Sequence, residues 1–418
     1  MLNKKSVEKK DRSIFWKNFI KPDFDEYCFS NIPGTVLDNF GIETDRKFPD
    51  DVFIKKENHK NVVFVFVDAL GWSFIEKNNF KYLNEITENS KVSVITSQFP
   101  STTSVHVTTT HTGLTAAESG VYEWFYYDPY VDGIMSPLIN LDMKTGNYLE
   151  KEGYKKEKLY PEPVLYKKLL EKGVKSFLHQ PGKYSNSAYN KMMAEYSENV
   201  GYESYIEGLF NLGDKILEAD GPTYSYFYYP QVDSTCHVYG PESDITKAEI
   251  DTFFYSLKKY FIDRLEGKNT DTLLIISADH GQTTVDTENP VYINDFIPNI
   301  KDYIKTNRSG EMIIPSGSFR DFFLHVKEEK TDEFIEMIKN NTDDNYLIFK
   351  TEDMIKEGFF GKNISDNFRN KVGNVVILPA KDKSIWWYEK GKYEVWFKGM
   401  HGGLNTEEML IPLITKIL

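Results

Sequence analysis

Between Ser97 and Gly113 the chain concentrates hydroxyls and imidazoles: Ser101, Thr102, Thr103 and Ser104, then His106, a run of threonines, and His111. A hydroxyl where a helix begins faces unpaired N–H groups and the positive end of the helix dipole. That setting suits an anionic phosphoryl group, and it suits an alkoxide nucleophile if a neighbour takes the proton. Ser and Thr are also ordinary helix caps, so this stretch alone does not choose between cap and nucleophile. Six further residues tip the balance: Asp68, Asp233, His237, Asp279, His280 and His401. With Thr103 they make seven groups, enough for two divalent ions. Asp and His donors without thiolate suit Zn, Mn or a similar borderline metal. Such a pair of ions would lower the pKa of a threonine hydroxyl and stabilise a leaving oxygen.

These groups work together only if the fold brings them to one place. Residues 61–68 (NVVFVFVD) form a continuous apolar, β-branched run, as in a strand buried on both faces of a parallel sheet. Asp68 ends it, and could alternatively cap the next helix. Residues 223–229 are strongly β and lead to Asp233 and His237, whose i, i+4 spacing puts both on one helical face. Residues 271–278 form another buried strand, followed by Asp279, His280 and a glycine that permits a turn. Further strands are predicted at 91–97, 174–179 and 409–418, the last preceded by His401. Helices are predicted over 79–90, 161–173, 201–220 and 243–266. In a parallel sheet the carboxyl ends of the strands share one edge, where open α/β sheets bind ligands.

The texture changes over 290–395, with short strands predicted at 312–314, 322–326 and 375–378 and a Lys/Glu-rich helix at 331–340. This region reads as an inserted α+β cap on a metal-dependent catalytic core made of 1–289 and 396–418. Residues 1–60 show no chemistry, and the charged run Lys4 to Arg12 reads as a solvated arm or helix. Tyr122, Trp124, Phe125, Tyr126, Tyr127 and Tyr130 crowd together near Pro129 and Gly133. They predict a loop or hairpin beside a pocket, with Tyr122 and Trp124 as candidates for stacking on a substrate. Core packing under a loop is the competing reading.

With 418 residues, 40% hydrophobic and 15% aromatic, the chain can bury a large core. A net charge of -13 makes nucleic-acid polymers and anionic membranes poor partners. A small phosphorylated substrate remains compatible where metal ions supply positive charge. Two distant cysteines, Cys28 and Cys236, exclude a disulfide scaffold. With no apolar N-terminal signal and no run near 18 apolar residues, the expectation is a soluble cytoplasmic protein.

As an ordered set, the motifs Val67-Asp68-Ala69-Leu70-Gly71, Phe99-Pro100-Ser101-Thr102-Thr103, Asp233 to Pro241, Asp279-His280-Gly281 and His401-Gly402 resemble the alkaline phosphatase superfamily. The likeness is strongest to its nucleotide pyrophosphatase/phosphodiesterase branch, and it runs from Asn61 to the C-terminus. It implies an α/β fold with a mostly parallel central sheet and helices on both faces. It also implies Thr103, rather than Thr102, as the nucleophile that becomes a phospho-threonine. One zinc would sit on Asp233, His237 and His401, the other on Asp68, Asp279 and His280 with Thr103. His106 stands where relatives in the animal branch carry an Asn. It would either supply a hydrogen bond to a phosphoryl oxygen or face away. The lysine common before the nucleophile is replaced by Thr102. The formylglycine motif of sulfatases is absent. The arginine clamp of monoesterases has no nearby counterpart, Arg46 and Arg264 being far off in sequence, which favours diesters or pyrophosphates. Alternatives are a phosphonate hydrolase using Lys144 or Lys183, a phosphomonoesterase, and a binding module that has lost catalysis.

Overall fold

In the computed structural model, which describes residues 1–297 and 299–418, a seven-stranded sheet forms the centre of the molecule. Its strands are β1 (Asn61–Val67), β2 (Lys91–Thr96), β3 (Lys175–Pro181), β4 (Glu198–Tyr202), β5 (Thr223–Tyr229), β6 (Thr272–Ser277) and β7 (Leu410–Ile417). They lie in the order β2-β7-β6-β1-β5-β3-β4. Only β7 is antiparallel to its neighbours. Every residue of β1 and β6 is buried, which is why both read as unbroken apolar runs. The loops after β1, β5 and β6 therefore emerge at one edge. Because β7 runs the other way, the loop before it reaches the same edge and brings His401 there.

Residues 1–60 belong to the core. Phe19, Phe29 and Ile32 are buried, and the Phe29 ring meets Phe64 and Phe66 edge-on at 6.1 and 5.6 Å. The charged run is a helix, Lys4–Arg12, capped by Asn3. Downstream, Ser316–Ser318, Asp321–Leu324, Tyr346–Lys350 and Val375–Pro379 form a four-stranded antiparallel sheet. Helix Thr331–Asn341 packs with it, and a second apolar cluster fills the space between them. Phe323, Phe360 and Phe368 of this region join the main core instead.

Two expectations about elements need correction, and a third is met with an irregularity. At 312–314 only an isolated antiparallel bridge forms, Met312 with Thr306, because the Ile314 amide turns back to the Met312 carbonyl at 3.1 Å. The helix expected over 201–220 is Tyr205–Leu217, preceded by β4 and started by a capping box between Ser204 and Glu207. The helix expected over 243–266 is present from Asp244 to Leu265, its one irregularity a π-helical turn at Lys258–Ile262. No helix among the described residues is long and apolar enough to cross a membrane.

Candidate active site

Helix α1 (Thr103–Thr112) is buried at every position although it is almost entirely polar. Its hydroxyls turn back on its own backbone. Thr108, Thr110 and Thr112 donate to the carbonyls of Ser104, His106 and Thr108 at 2.7 to 2.8 Å. The helix stops at Gly113, whose φ of +77° ends it in the left-handed region. Thr103, in the first turn, points elsewhere. Its Oγ1 lies 3.4 Å from Asp68 Oδ1 and 3.2 Å from His280 Nε2.

Two clusters of possible ligands meet here. Asp233, His237 and His401 form one, and Asp68, Asp279 and His280 the other, with ligand atoms in each within 4.8 Å of one another. Asp233 and His237 lie on helix α2 (Gln231–Tyr239), one turn apart. The rings of His280 and His401 stack at 3.7 Å, which joins the clusters. The loops that carry Asp68 and Asp279 touch. A Cβ on Gly71 would come within 2.8 Å of Gly281 Cα, so both positions require glycine. Gly281 thus serves close approach rather than the turn expected of it.

The imidazoles are already oriented for coordination. His237, His280 and His401 each direct Nδ1 at a backbone carbonyl, of Gly399, Gly281 and Ser101, at 2.8, 3.0 and 3.0 Å. That arrangement puts the proton on Nδ1 and leaves the Nε2 lone pair free for the site. The carboxylates are held as well. Tyr228 donates its hydroxyl to Asp68 Oδ2, Gln282 Nε2 donates to Asp233 Oδ1 at 2.6 Å, and the Ala69 and His280 amides donate to Asp279 Oδ1. Asp279 Oδ2 is buried with no hydrogen-bond partner. Behind His401, the fully buried Arg320 and Glu408 form a two-pronged pair at 3.1 and 2.8 Å. Glu408 also receives the Gly403 amide at 3.0 Å, fixing the turn after His401.

The charge balance calls for cations. Burial and the nearby Asp279 and Asp233 push Asp68 well above the usual carboxylate range. Burial opposes ionisation of Asp279, yet the adjacent His280 holds its carboxyl down at about 2. Burial and the stacked His280 keep His401 well below an ordinary imidazole. The groups that face these carboxylates are imidazole Nε2 atoms, which carry charge only when protonated, and not lysine or arginine, among the described residues. Three carboxylates, one of them with an Oδ2 lacking a hydrogen-bond partner, and three Nε2 atoms fit two divalent cations.

A cavity of about 570 Å³ opens over this site. Asp68, Thr103 and Asp233 lie at its base, and Trp124, Leu138, Tyr184 and Tyr228 form walls. Two expected contributors are not there. Tyr122 is fully buried, stacked on Tyr126 at 5.0 Å and edge-on to Phe323 and Phe368, so it is core and not substrate wall. His106 is turned into the body. Its Nε2 meets Ser97 Oγ at 2.9 Å and the Gln98 amide at 3.0 Å, and its Nδ1 meets the Thr102 carbonyl at 2.7 Å. Burial lowers its pKa to about 4. His106 thus braces the loop before Thr103. Lys183 lines the cavity, whereas Lys144 pairs with Glu311 at 2.7 Å outside it. Arg46 and Arg264 pair with Glu118 and Asp214, and no arginine lines the cavity among the described residues. Tyr228 and Gln282 carry no motif of their own. Gln282 was findable only as the residue following Asp279-His280-Gly281.

The sequence model of one family, type I phosphodiesterase / nucleotide pyrophosphatase, matches residues 62–404, which takes in all seven site residues. The chain belongs to this family. Family member 3 of the ectonucleotide pyrophosphatase/phosphodiesterases from Mus musculus and Rattus norvegicus is 27% identical over 191 and 187 residues. Those alignments cover 43% of this chain and only 20% of each relative. Among solved structures, murine ectonucleotide pyrophosphatase / phosphodiesterase 5 superposes with a TM-score of 0.64 at 19% identity, covering 84% of this chain and 87% of that one. An inactive threonine-to-alanine variant of the murine protein in complex with AMP gives the same values. The human counterpart gives 0.63 at 17% identity, with the same coverage. These relatives share the alkaline phosphatase-like α/β architecture of this family member.

Proposed function

We propose that this family member hydrolyses phosphodiester or pyrophosphate bonds in a small phosphorylated molecule, a nucleotide foremost, with Thr103 as nucleophile. The observation that carries the reading is the position of Thr103 Oγ1. It sits in the first turn of α1, beside Asp68 and His280, at the base of the cavity. Two zinc ions, one on Asp233, His237 and His401 and one on Asp68, Asp279 and His280, would supply Lewis acidity there and lower the pKa of the hydroxyl. Asp68 Oδ1 and His280 Nε2, the atoms nearest Thr103 Oγ1, would hold the ion that displaces the hydroxyl proton to water in the cavity. Thr103 Oγ1 attacks phosphorus in line with the leaving oxygen. The new P–O bond makes a phospho-threonine, and the departing group leaves as an alcohol or phosphate. Water then cleaves the threonine ester, releasing a phosphomonoester and restoring the hydroxyl. The N-terminal N–H groups of α1 favour the phosphoryl anion throughout.

Two features support a diester or pyrophosphate over a monoester. Among the described residues the cavity lining holds no arginine to clamp a dianion, and it includes Trp124, Tyr184 and Tyr228, aromatic residues suited to stacking on a base. AMP in the murine relative agrees with a nucleotide here. The test compares bis(p-nitrophenyl) phosphate with p-nitrophenyl phosphate on zinc-loaded protein beside Thr103→Ala. Preference for the diester, reduced at least about a thousandfold in the variant, is expected. Preference for the monoester, or a variant as active as the parent, overturns the reading.

A further inference from the structure

A row of rings leads out of the site. His280 stacks on His401 at 3.7 Å, His401 meets His237 at 5.3 Å, His237 meets Phe397 at 4.5 Å, and Phe397 meets Trp396 at 3.9 Å. The row ends in solvent. Trp396 is 61% exposed, although tryptophan is among the more buried side chains on average. Its backbone is nevertheless fixed on both sides. The Val395 amide donates to the Tyr292 hydroxyl at 3.0 Å, and the Lys398 amide donates to the His237 carbonyl at 2.9 Å. A Cβ on Gly399 would come within 2.5 Å of the Cys236 carbonyl oxygen, so this segment lies directly against α2. Neither Trp396 nor Phe397 lines the cavity over Thr103.

The two ligand clusters differ in their access to solvent. The side chains of Asp68, Asp279 and His280 are at most 3% exposed. Those of His401, His237 and Asp233 are 8, 15 and 18% exposed. Thr103 Oγ1 stands with the closed cluster, near Asp68 and His280. Attack in line from there sends the departing oxygen away from Thr103, to the open side where Asp233, His237 and His401 lie. The group that this oxygen carries then emerges beside Phe397 and Trp396. A ring backed by Phe397 and held on fixed backbone loses little freedom when a planar group stacks on it. Nucleobases suit such a ring, because every base has a π-face.

We propose that Trp396 is the platform for the departing half of the substrate, and that the substrate is a dinucleotide with a base on each side of the scissile phosphorus. This rests on the hydrolytic reading above and narrows it. The base on the half transferred to Thr103 takes the cavity of Trp124, Tyr184 and Tyr228, and the base on the departing half stacks on Trp396. Trp396 adds no chemical step. It sets which departing group is held in line with Thr103.

The test compares the zinc-loaded parent with Trp396→Ala and Trp396→Phe. Calorimetric titration uses AMP and an analogue of adenylyl adenosine in which a methylene replaces the departing oxygen, so that nothing is cleaved. The affinity for the two-base analogue relative to AMP should fall at least about fivefold in Trp396→Ala, and Trp396→Phe, which keeps a ring, should recover most of it. Hydrolysis gives the second readout. The ratio of kcat/KM for adenylyl adenosine to kcat/KM for the methyl ester of AMP should fall by the same factor. Ratios unchanged in Trp396→Ala overturn the proposal, with the catalytic reading intact if both esters are still cleaved. A quaternary ammonium ester such as glycerophosphocholine that alone depends on Trp396 would put a cation on the ring instead of a base, and overturns the substrate class. A parent that cleaves neither ester, with binding of the analogue still dependent on Trp396, would overturn the catalytic reading and leave the two-base site standing.

Discussion

Replacing Glu408 with glutamine keeps the side-chain shape and removes one charge. Arg320 and Glu408 are both 0% exposed. The guanidinium is otherwise held by the carbonyls of Ala380 and Lys383, which are dipoles and not charges. Breaking a buried pair by removing one partner costs about 3–5 kcal/mol, because the remaining charge is left uncompensated. Unfolding entropy of roughly 2.1 cal/mol/K per residue gives about 0.9 kcal/mol/K for a chain of 418 residues. Glu408→Gln should therefore lower Tm by about 3–6 °C at fixed zinc. A second readout follows from geometry. Glu408 accepts from the Gly403 amide at 3.0 Å and from Asn405 Nδ2 at 2.7 Å, and this fixes the turn beside His401. Loosening that turn should weaken metal retention about 10–100-fold. Scanning calorimetry reads the first effect, and competition with a chelating dye reads the second. The double replacement Arg320→Met/Glu408→Leu should recover most of the lost stability, since an apolar pair leaves no buried charge. A Glu408→Gln protein that melts within about 1 °C of the parent and binds metal equally well would refute the assignment.

Trp124→Ala should raise KM for a nucleotide diester about tenfold or more with little change in thermal stability, whereas Tyr122→Ala should mainly destabilise, by about 3–5 kcal/mol. An unchanged KM in the first variant would remove Trp124 from the substrate wall. Gln282→Leu should lower metal affinity about 10–100-fold by freeing Asp233, and a dye-competition curve matching the parent would count against it. His111, His179 and His325 are buried, and burial lowers each pKa to about 3. The unfolded chain binds those protons near pH 6.5, so stability is lost as pH falls from about 6.5 towards 3, by about 1.4 kcal/mol per unit for each histidine. His179, with both ring nitrogens unpartnered, is the simplest to replace. In urea titrations His179→Phe should gain about 2 kcal/mol on the parent between pH 7 and pH 5, and an equal offset at both pH values would contradict the burial account.

That Asp68 and Asp279 meet was legible because β1 and β6 are buried on both faces. Unbroken apolar runs imply a parallel sheet, and a parallel sheet fixes where Asp68 and Asp279 must emerge. The direction of His106 stayed open because α1 is polar on every face. With no apolar stripe, spacing cannot say which side of a helix meets the cavity. Tyr122 and Trp124 sit in irregular backbone, where no period assigns one ring to the core and the other to the substrate wall. Tyr184 and Tyr228 line the cavity through shape alone, which leaves no motif. The place of residues 1–60 in the core depended on contacts such as Phe29 with Phe64, between segments too far apart in sequence for any local pattern to pair them.

Strand β7 occupies a slot between β2 and β6 rather than an edge. A ribosome makes β2 and β6 long before it makes residues 410–417. Until then the strand leading to Thr103 and the strand leading to Asp279 each present an open edge, a hazard for mispairing. His401 arrives nine residues ahead of the strand that closes this gap. Completing the sheet and completing the ligand set are thus one late event in biosynthesis. A nascent chain that has not yet reached residue 401 would hold Thr103 without His401, one of the proposed ligands.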